Sequence, residues 1–233
     1  IALQFNYSFT RMGKFMEGAT ERSLDYIKMN SGYTSLPVTM DMMKYTLTAG
    51  YGFSPAFKAF VSLPYIRNTM DMTMLSGMWM DSTMAPVSGL GDITAMGLYR
   101  LYTDREVRPT NAMTLGFGVK TPTGSFTERS SPTKYVHAHM QPGTGSWDPL
   151  LSLIYTKMAN PFLVQADVTY QYTTRNRQGY EFGDSAAVNL SGKYAVVKEF
   201  NVTAGLTYLH VGKASDRDGQ YTNLNNLMDD PAN

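Results

Sequence analysis

The 233-residue chain contains no cysteine. Disulfide frameworks, thiolate nucleophiles and cysteine-ligated zinc are therefore excluded. Charged residues make up only 17% of it, below the roughly 25% of ordinary soluble domains. The formal net charge is +1, so no strong field points to nucleic acid or acidic substrates, and no nucleic-acid partner is expected. No apolar run approaches the ~18 residues of a membrane-spanning helix. No basic-then-apolar export segment opens the chain, so if the protein is exported this is a mature form.

Against these absences stand 16 Tyr, 11 Phe and 17 Met. The aromatic residues fall in a period of two. In the opening IALQFNYSFT, residues Ile1, Leu3, Phe5, Tyr7 and Phe9 share one strand face and Gln4, Asn6, Ser8 and Thr10 the other. The pattern returns at 44–65, as a hairpin turning at Ser54, Pro55 and Ala56, with Pro64 marking an expected irregularity. It recurs around 93–101, 114–120, 151–156, 162–172, 186–194 and 202–208, about nine strands in all. Most have the ~9 to 11 residues that a tilted strand needs to cross a bilayer.

The connections alternate in length. Long ones fall at about 14–39, 76–89, 122–146 and from 213 to 233, with a medium one at 174–182. Short ones fall at 54–56, 104–110, 159–161 and 197–200, so every long loop lies at one end of the sheet. Outer-membrane barrels are built this way, with short periplasmic turns and long extracellular loops. A soluble barrel or sandwich also alternates, but it turns its apolar face inward, where large residues must be rationed. Here the apolar face is crowded with Phe and Tyr, and the opposite face is Thr, Ser, Asn, Gln, Lys and Asp. This predicts a single all-β domain over 1–233: a transmembrane antiparallel up-and-down β-barrel of about ten strands in the bacterial outer membrane, touching lipid outside. Nine strands would leave an open edge in lipid, at several kcal/mol for each unpaired backbone group. A tenth, closing strand beyond the sequence is therefore expected.

Four local motifs carry a family resemblance: SLPY at 62–65, GLGD at 89–92, TPTGS at 121–125 and GTGSWD at 143–148. In this order they resemble the outer-membrane transporters grouped as the meta-pathway phenol-degradation family, and the MDM repeats and YSFTRMGKFMEG opening are similar to a methionine-rich subgroup. The resemblance spans roughly residues 40–160. It implies a barrel that passes a small solute, and it brings no catalytic residues with it.

The methionines are concentrated. With the hairpin centred near residue 55, Met40 falls opposite Met70, and Met42, Met72 and Met74 lie on the same inward face. Met78, Met80 and Met84 follow in the adjoining loop, and the stretch HAHM places His137, His139 and Met140 in another loop at that end. Thioether sulfur is a soft ligand that selects Cu(I), and imidazole also suits copper. These eleven residues are a candidate copper site or conduit at the outer mouth. The plainer explanation is that methionine packs the irregular interior of a narrow barrel.

By the same parity, Lys44, Lys58, Asp92, Arg100, Lys120, Asp148, Asp167 and Lys193 face the lumen, and are expected to pair with one another. His210 lies on the apolar face near the outer rim, where a lipid hydrolase would also need a serine, and HVGK offers none. The acids Asp216, Asp218, Asp229 and Asp230 read as solvated loop charge, with calcium binding the rarer use. GFGVKTPTG is no phosphate loop, since no helix follows. The sequence therefore supports passage or binding of a small solute, with a copper link as its sharper form. A structural barrel or partner subunit of an envelope complex is one alternative, an outer-membrane hydrolase another.

Overall fold

The computed structural model describes residues 1–17, 19–107, 109–132, 134–197, 200–219 and 221. Nine long strands form one antiparallel sheet, each pairing with the next along the chain. They are β1 (Ala2–Met12), β2 (Ser35–Gly52), β3 (Phe57–Ser76), β4 (Thr94–Thr103), β5 (Asn111–Lys120), β6 (Asp148–Ala159), β7 (Phe162–Gln171), β8 (Ser185–Ala195) and β9 (Asn201–Val211). β1 and β9 are the two edges of this sheet, and among the described residues no tenth strand joins them.

The alternation read from the sequence sets the two faces. One cross-strand row runs Phe57, Tyr99, Leu115, Leu153, Val168, Val188 and Tyr208, through successive neighbours from β3 to β9. Most of this face is solvent-accessible in the isolated chain, including Tyr45, Leu63, Tyr65, Phe117, Leu151, Tyr155, Leu190 and Tyr194. An exposed apolar belt of this extent marks a surface that meets a membrane or another apolar surface rather than water. The opposite face carries hydroxyls and amides that bond across strands, as in Thr48–Ser62 (2.8 Å), Thr169–Ser152 (2.9 Å) and Asn189–Asp167 (2.7 Å).

The short connections are built by local capping. At residues 53–56 the Ser54 hydroxyl accepts bonds from the Ala56 and Phe57 amides. At 104–110 the Asp104 carboxylate accepts from the amides of Thr110 and Asn111, at 2.8 and 3.0 Å. Pro64 keeps its register with β2, while on its other side the ladder breaks across residues 91–93, where Gly91 donates to the Pro64 carbonyl.

The long connections hold more structure than the sequence pattern indicated. Residues 76–89, expected as a loop, are largely strand: Met78–Thr83 folds back on β3 around Gly77, whose φ of 78° suits glycine, and Val87–Leu90 pairs with Asn68 to Tyr65. Within 14–39, a hairpin of Phe15–Glu17 and Thr20–Arg22 precedes the helix α1 (Leu24–Asn30), whose N-cap Ser23 accepts from the Tyr26 amide. β2 then begins at Ser35, inside the span assigned to that loop. The buried side chains collect at this end, in one methionine cluster and one aromatic cluster.

Candidate functional site at the outer mouth

Three of the sequence motifs converge on one polar knot. Asp92, which ends GLGD, accepts bonds from the Gly124 amide of TPTGS at 2.9 Å, and from the amide and hydroxyl of Thr144 in GTGSWD at 2.8 and 2.7 Å. Lys120, the residue before TPTGS, lies 2.6 Å from Asp148 at the end of GTGSWD and 3.9 Å from Asp92. Asp148 is fully buried, and it also accepts from the Thr174 amide and the Gln171 side chain. One ammonium between two carboxylates leaves an excess negative charge, which these backbone and side-chain donors stabilise. Gly124 and Gly143 approach so closely that a Cβ on Gly143 would lie 2.5 Å from the Gly124 carbonyl carbon, hence the glycines in both motifs. The knot ties the 122–146 loop to the barrel wall.

The methionines form a second group. Register places Met12, Met40 and Met70 directly opposite one another across β1, β2 and β3, and Met84 continues the row by donating its amide to the Met70 carbonyl at 2.9 Å. Met40, Met70, Met72 and Met140 are buried with Val87 and Val136, and Met42 and Met84 pack against them. The lid over this patch is the 3₁₀ turn Ala138–Met140. It is held by the Asn68 side-chain amide, which donates to the Met140 carbonyl at 3.1 Å. Met74 and Met80 pair across the projecting hairpin and, with Met78, are exposed. His137 precedes the lid turn and His139 lies within it, edge-on to Phe182, 5.8 Å away, beside the other cluster.

That other cluster is aromatic. Phe126, Tyr180 and Tyr221 are buried with Ala138, and Tyr135 and Phe182 pack against them. Tyr221 donates its hydroxyl to the Phe126 carbonyl at 2.6 Å. Burial raises the Tyr221 hydroxyl above its ordinary pKa, so it remains a donor at neutral pH.

Comparison with known proteins places this arrangement. Residues 41–227 match the family described as "MetA-pathway of phenol degradation". The chain belongs to this family. Among solved structures it is similar to an outer-membrane channel from Pseudomonas putida F1, with a TM-score of 0.58 and 15% identity over 94% of this chain and 74% of that one. At that identity the likeness concerns the fold alone. A comparison with curated proteins finds no match. This member of the phenol-degradation family is a bacterial outer-membrane β-barrel protein.

Within this family member the lumen charges divide. Only Asp92, Lys120 and Asp148 come together as an ion-paired group. Asp167 takes the Asn189 amide instead of a cation. Lys44, Lys58, Arg100 and Lys193 lie on the inner face by register, and among the described residues none has a carboxylate within ion-pair distance. The expected mutual pairing is not found for these four: their direct cross-strand partners are Ser8 and Ile66, Gly52 and Leu98, Thr114, and Leu163 and Thr203, none of which is an acid. Lys44 is close enough for the charge of Lys120 to act on it. A cavity of about 440 Å³, lined by Gln4, Thr48, Lys58 and Phe60 among others, opens at the short-turn end.

His210 lies on the outward row after Phe117, Leu151, Tyr170 and Ala186, none of which is a serine. Asp216 accepts from the Tyr221 amide and Asp218 pairs with Arg217, while Asp229 and Asp230 lie outside the described residues. Among the described residues no three His, Asp or Glu side chains gather around a possible metal position. Sequence reading missed Asn68, Thr144 and Thr174. Asn68 shares parity with Met70 and Met72 and was open to detection; the other two sit in loops without period.

Proposed function

We propose that the protein is a channel of the outer membrane that passes small anionic solutes. What supports this is the inner face: among the described residues four cations, Lys44, Lys58, Arg100 and Lys193, stand against one carboxylate, Asp167, below the closed knot at the mouth. An interior lined by one sign of charge within low-dielectric walls raises the local concentration of the opposite ion. A solved structure that it resembles is an outer-membrane channel. The loop 122–146, tied to the wall at Asp92 and Asp148, narrows the outer end and sets the size of what enters.

The experiment is reconstitution in a planar bilayer under a KCl gradient. The expected result is a current whose reversal potential favours chloride, moved toward potassium by Lys58→Glu with Lys193→Glu. Absence of current at any voltage overturns the reading in favour of a structural barrel or a subunit of an envelope complex. A copper link is the sharper form of a mouth function, and the methionine row is what supports it.

A further inference from the structure

The methionine cluster is an unusual way to fill space. Of the eight side chains in it, six are methionine and two are valine. Ordering a buried Met costs more rotamer entropy than ordering an Ile or a Leu. Four buried Met therefore cost more rotamer entropy to order than the same number of aliphatic residues. Rotamer entropy disfavours this choice, and as packing it is favoured only where the gaps to be filled are irregular.

The donors point to a particular chemistry. Met40 and Met70 are direct cross-strand partners, so their side chains leave the sheet about 5 Å apart on the same face. Met72 follows two residues along β3, and Met140 closes the patch from the lid. Neutral thioethers are soft and need no deprotonation, and no carboxylate belongs to the cluster. Such a set suits a soft monovalent cation and is poor for Mg²⁺, Ca²⁺ or Zn²⁺.

A second observation is independent of the sulfurs. Asn68 is almost completely buried beside this patch, with Met42 and Val87 as its cross-strand partners. Its amide nitrogen holds the lid, while its side-chain oxygen is buried without any hydrogen-bond partner. A buried acceptor without a partner is unfavourable, and it leaves a free oxygen donor beside the sulfurs.

We propose that Met40, Met70, Met72 and Met140 form a Cu(I) or Ag(I) site under the lid turn, with Met42 and Met84 at its rim. The exposed Met74, Met78 and Met80 on the projecting hairpin are the approach to it. His139 packs toward Phe182, and the proposed set is the sulfurs alone. Because the interior beyond is cationic, the ion is held at the mouth rather than conducted. The proposal shares the mouth geometry of the channel reading but does not require an open pore.

The test is titration of the detergent-folded full chain with Ag(I) by calorimetry and with Cu(I) against a competing chelator, together with X-ray absorption at the copper edge. One ion per chain in a sulfur-dominated shell is expected. The variant M40L/M70L/M72L/M140L should bind at least ~100-fold more weakly, and Leu is close enough in volume to Met to keep the fold. Folding of each variant is verified by the boiled-against-unboiled gel shift. M74L/M78L/M80L should retain the affinity. Should the fourfold variant fail to fold, M70L alone must show fewer sulfur neighbours at the copper. Equal affinity of the wild type and the fourfold variant, an unchanged copper shell in M70L, no binding by the wild type, or loss of binding only in the exposed-hairpin variant each overturns the proposal. Conductance is a separate readout: a chain that binds silver but passes no current retracts the channel and leaves this site standing.

Discussion

Lys120 and Asp148 form a buried ion pair, 2.6 Å from nitrogen to oxygen, at directly neighbouring ends of β5 and β6. The Asp148 side chain is completely removed from solvent and that of Lys120 nearly so. Such a pair adds little over a well-packed apolar one, but removing a single partner leaves an unbalanced charge worth roughly 3 to 5 kcal/mol. Lys120→Met is expected to lower the barrel's resistance to heat-induced unfolding by that order, since Asp92 and Asp148 would then face each other without a cation. The temperature at which the compact gel band converts to the unfolded one measures it. Unchanged heat resistance would show that solvent reaches the knot.

The turn at 104–110 carries a pH-dependent element. The Asp104 carboxylate is held well below the ordinary carboxylate range, first by the Asn111 amide, then by the Thr110 hydroxyl, with the Thr110 amide and Asn111 side chain adding to it. A depressed folded-state pKa means that the stabilisation is complete above the unfolded value near ~3.9 and disappears as pH falls through the folded value. Asp104→Ala should therefore unfold at lower denaturant than the wild type at pH 7, with the difference shrinking only below about pH 4. A gap that instead closes between pH 6 and 5 would assign the effect to another group.

Tyr221 joins the end of the described chain to the 122–146 loop through its bond to the Phe126 carbonyl. Tyr221→Phe keeps the ring contacts, at centroid distances of 4.6 Å to Phe126 and 4.9 Å to Tyr135, and removes only the hydroxyl. Leaving that carbonyl unsatisfied costs about 1 to 3 kcal/mol, so faster hydrogen exchange is expected within residues 125–128, with the strands unaffected. Uniform change over the barrel would make Tyr221 a global rather than a local support.

The strands were legible because alternation is a local property. Phe57, Tyr99 and Phe117 each announce their face by parity, and the face survives any uncertainty in register. Parity also placed Met40 opposite Met70, since the short turn after β2 fixes that register. The knot was not legible. Asp92, Thr144 and Thr174 are brought together by loop paths of tens of residues, and no period connects them. The same limit explains His139: the adjacent Met140 points into the methionine patch, while a one-residue step in a 3₁₀ turn carries the imidazole away from it. The strand at Met78–Thr83 escaped notice for another reason, because its Met, Trp, Asp, Ser and Thr lack an apolar side to reveal the alternation.

Adjacent residues 190 and 191 test the orientation on which everything else depends. Leu190 lies on the outward face, half exposed, in line with Tyr102, Tyr155 and Leu206. Ser191 points inward, opposite Gln165 and Gly205. An arginine facing acyl chains near the bilayer midplane costs about 2 to 4 kcal/mol, whereas one facing a wet lumen can stay hydrated. Leu190→Arg is therefore expected to fold and insert poorly into lipid vesicles, with Ser191→Arg inserting like the wild type and shifting the reversal potential further toward chloride. The reverse outcome, with Leu190→Arg tolerated and Ser191→Arg disruptive, would turn the barrel inside out: the tyrosine and phenylalanine rows would form a dry core, and both the cationic passage and the methionine site would lose their place at its mouth.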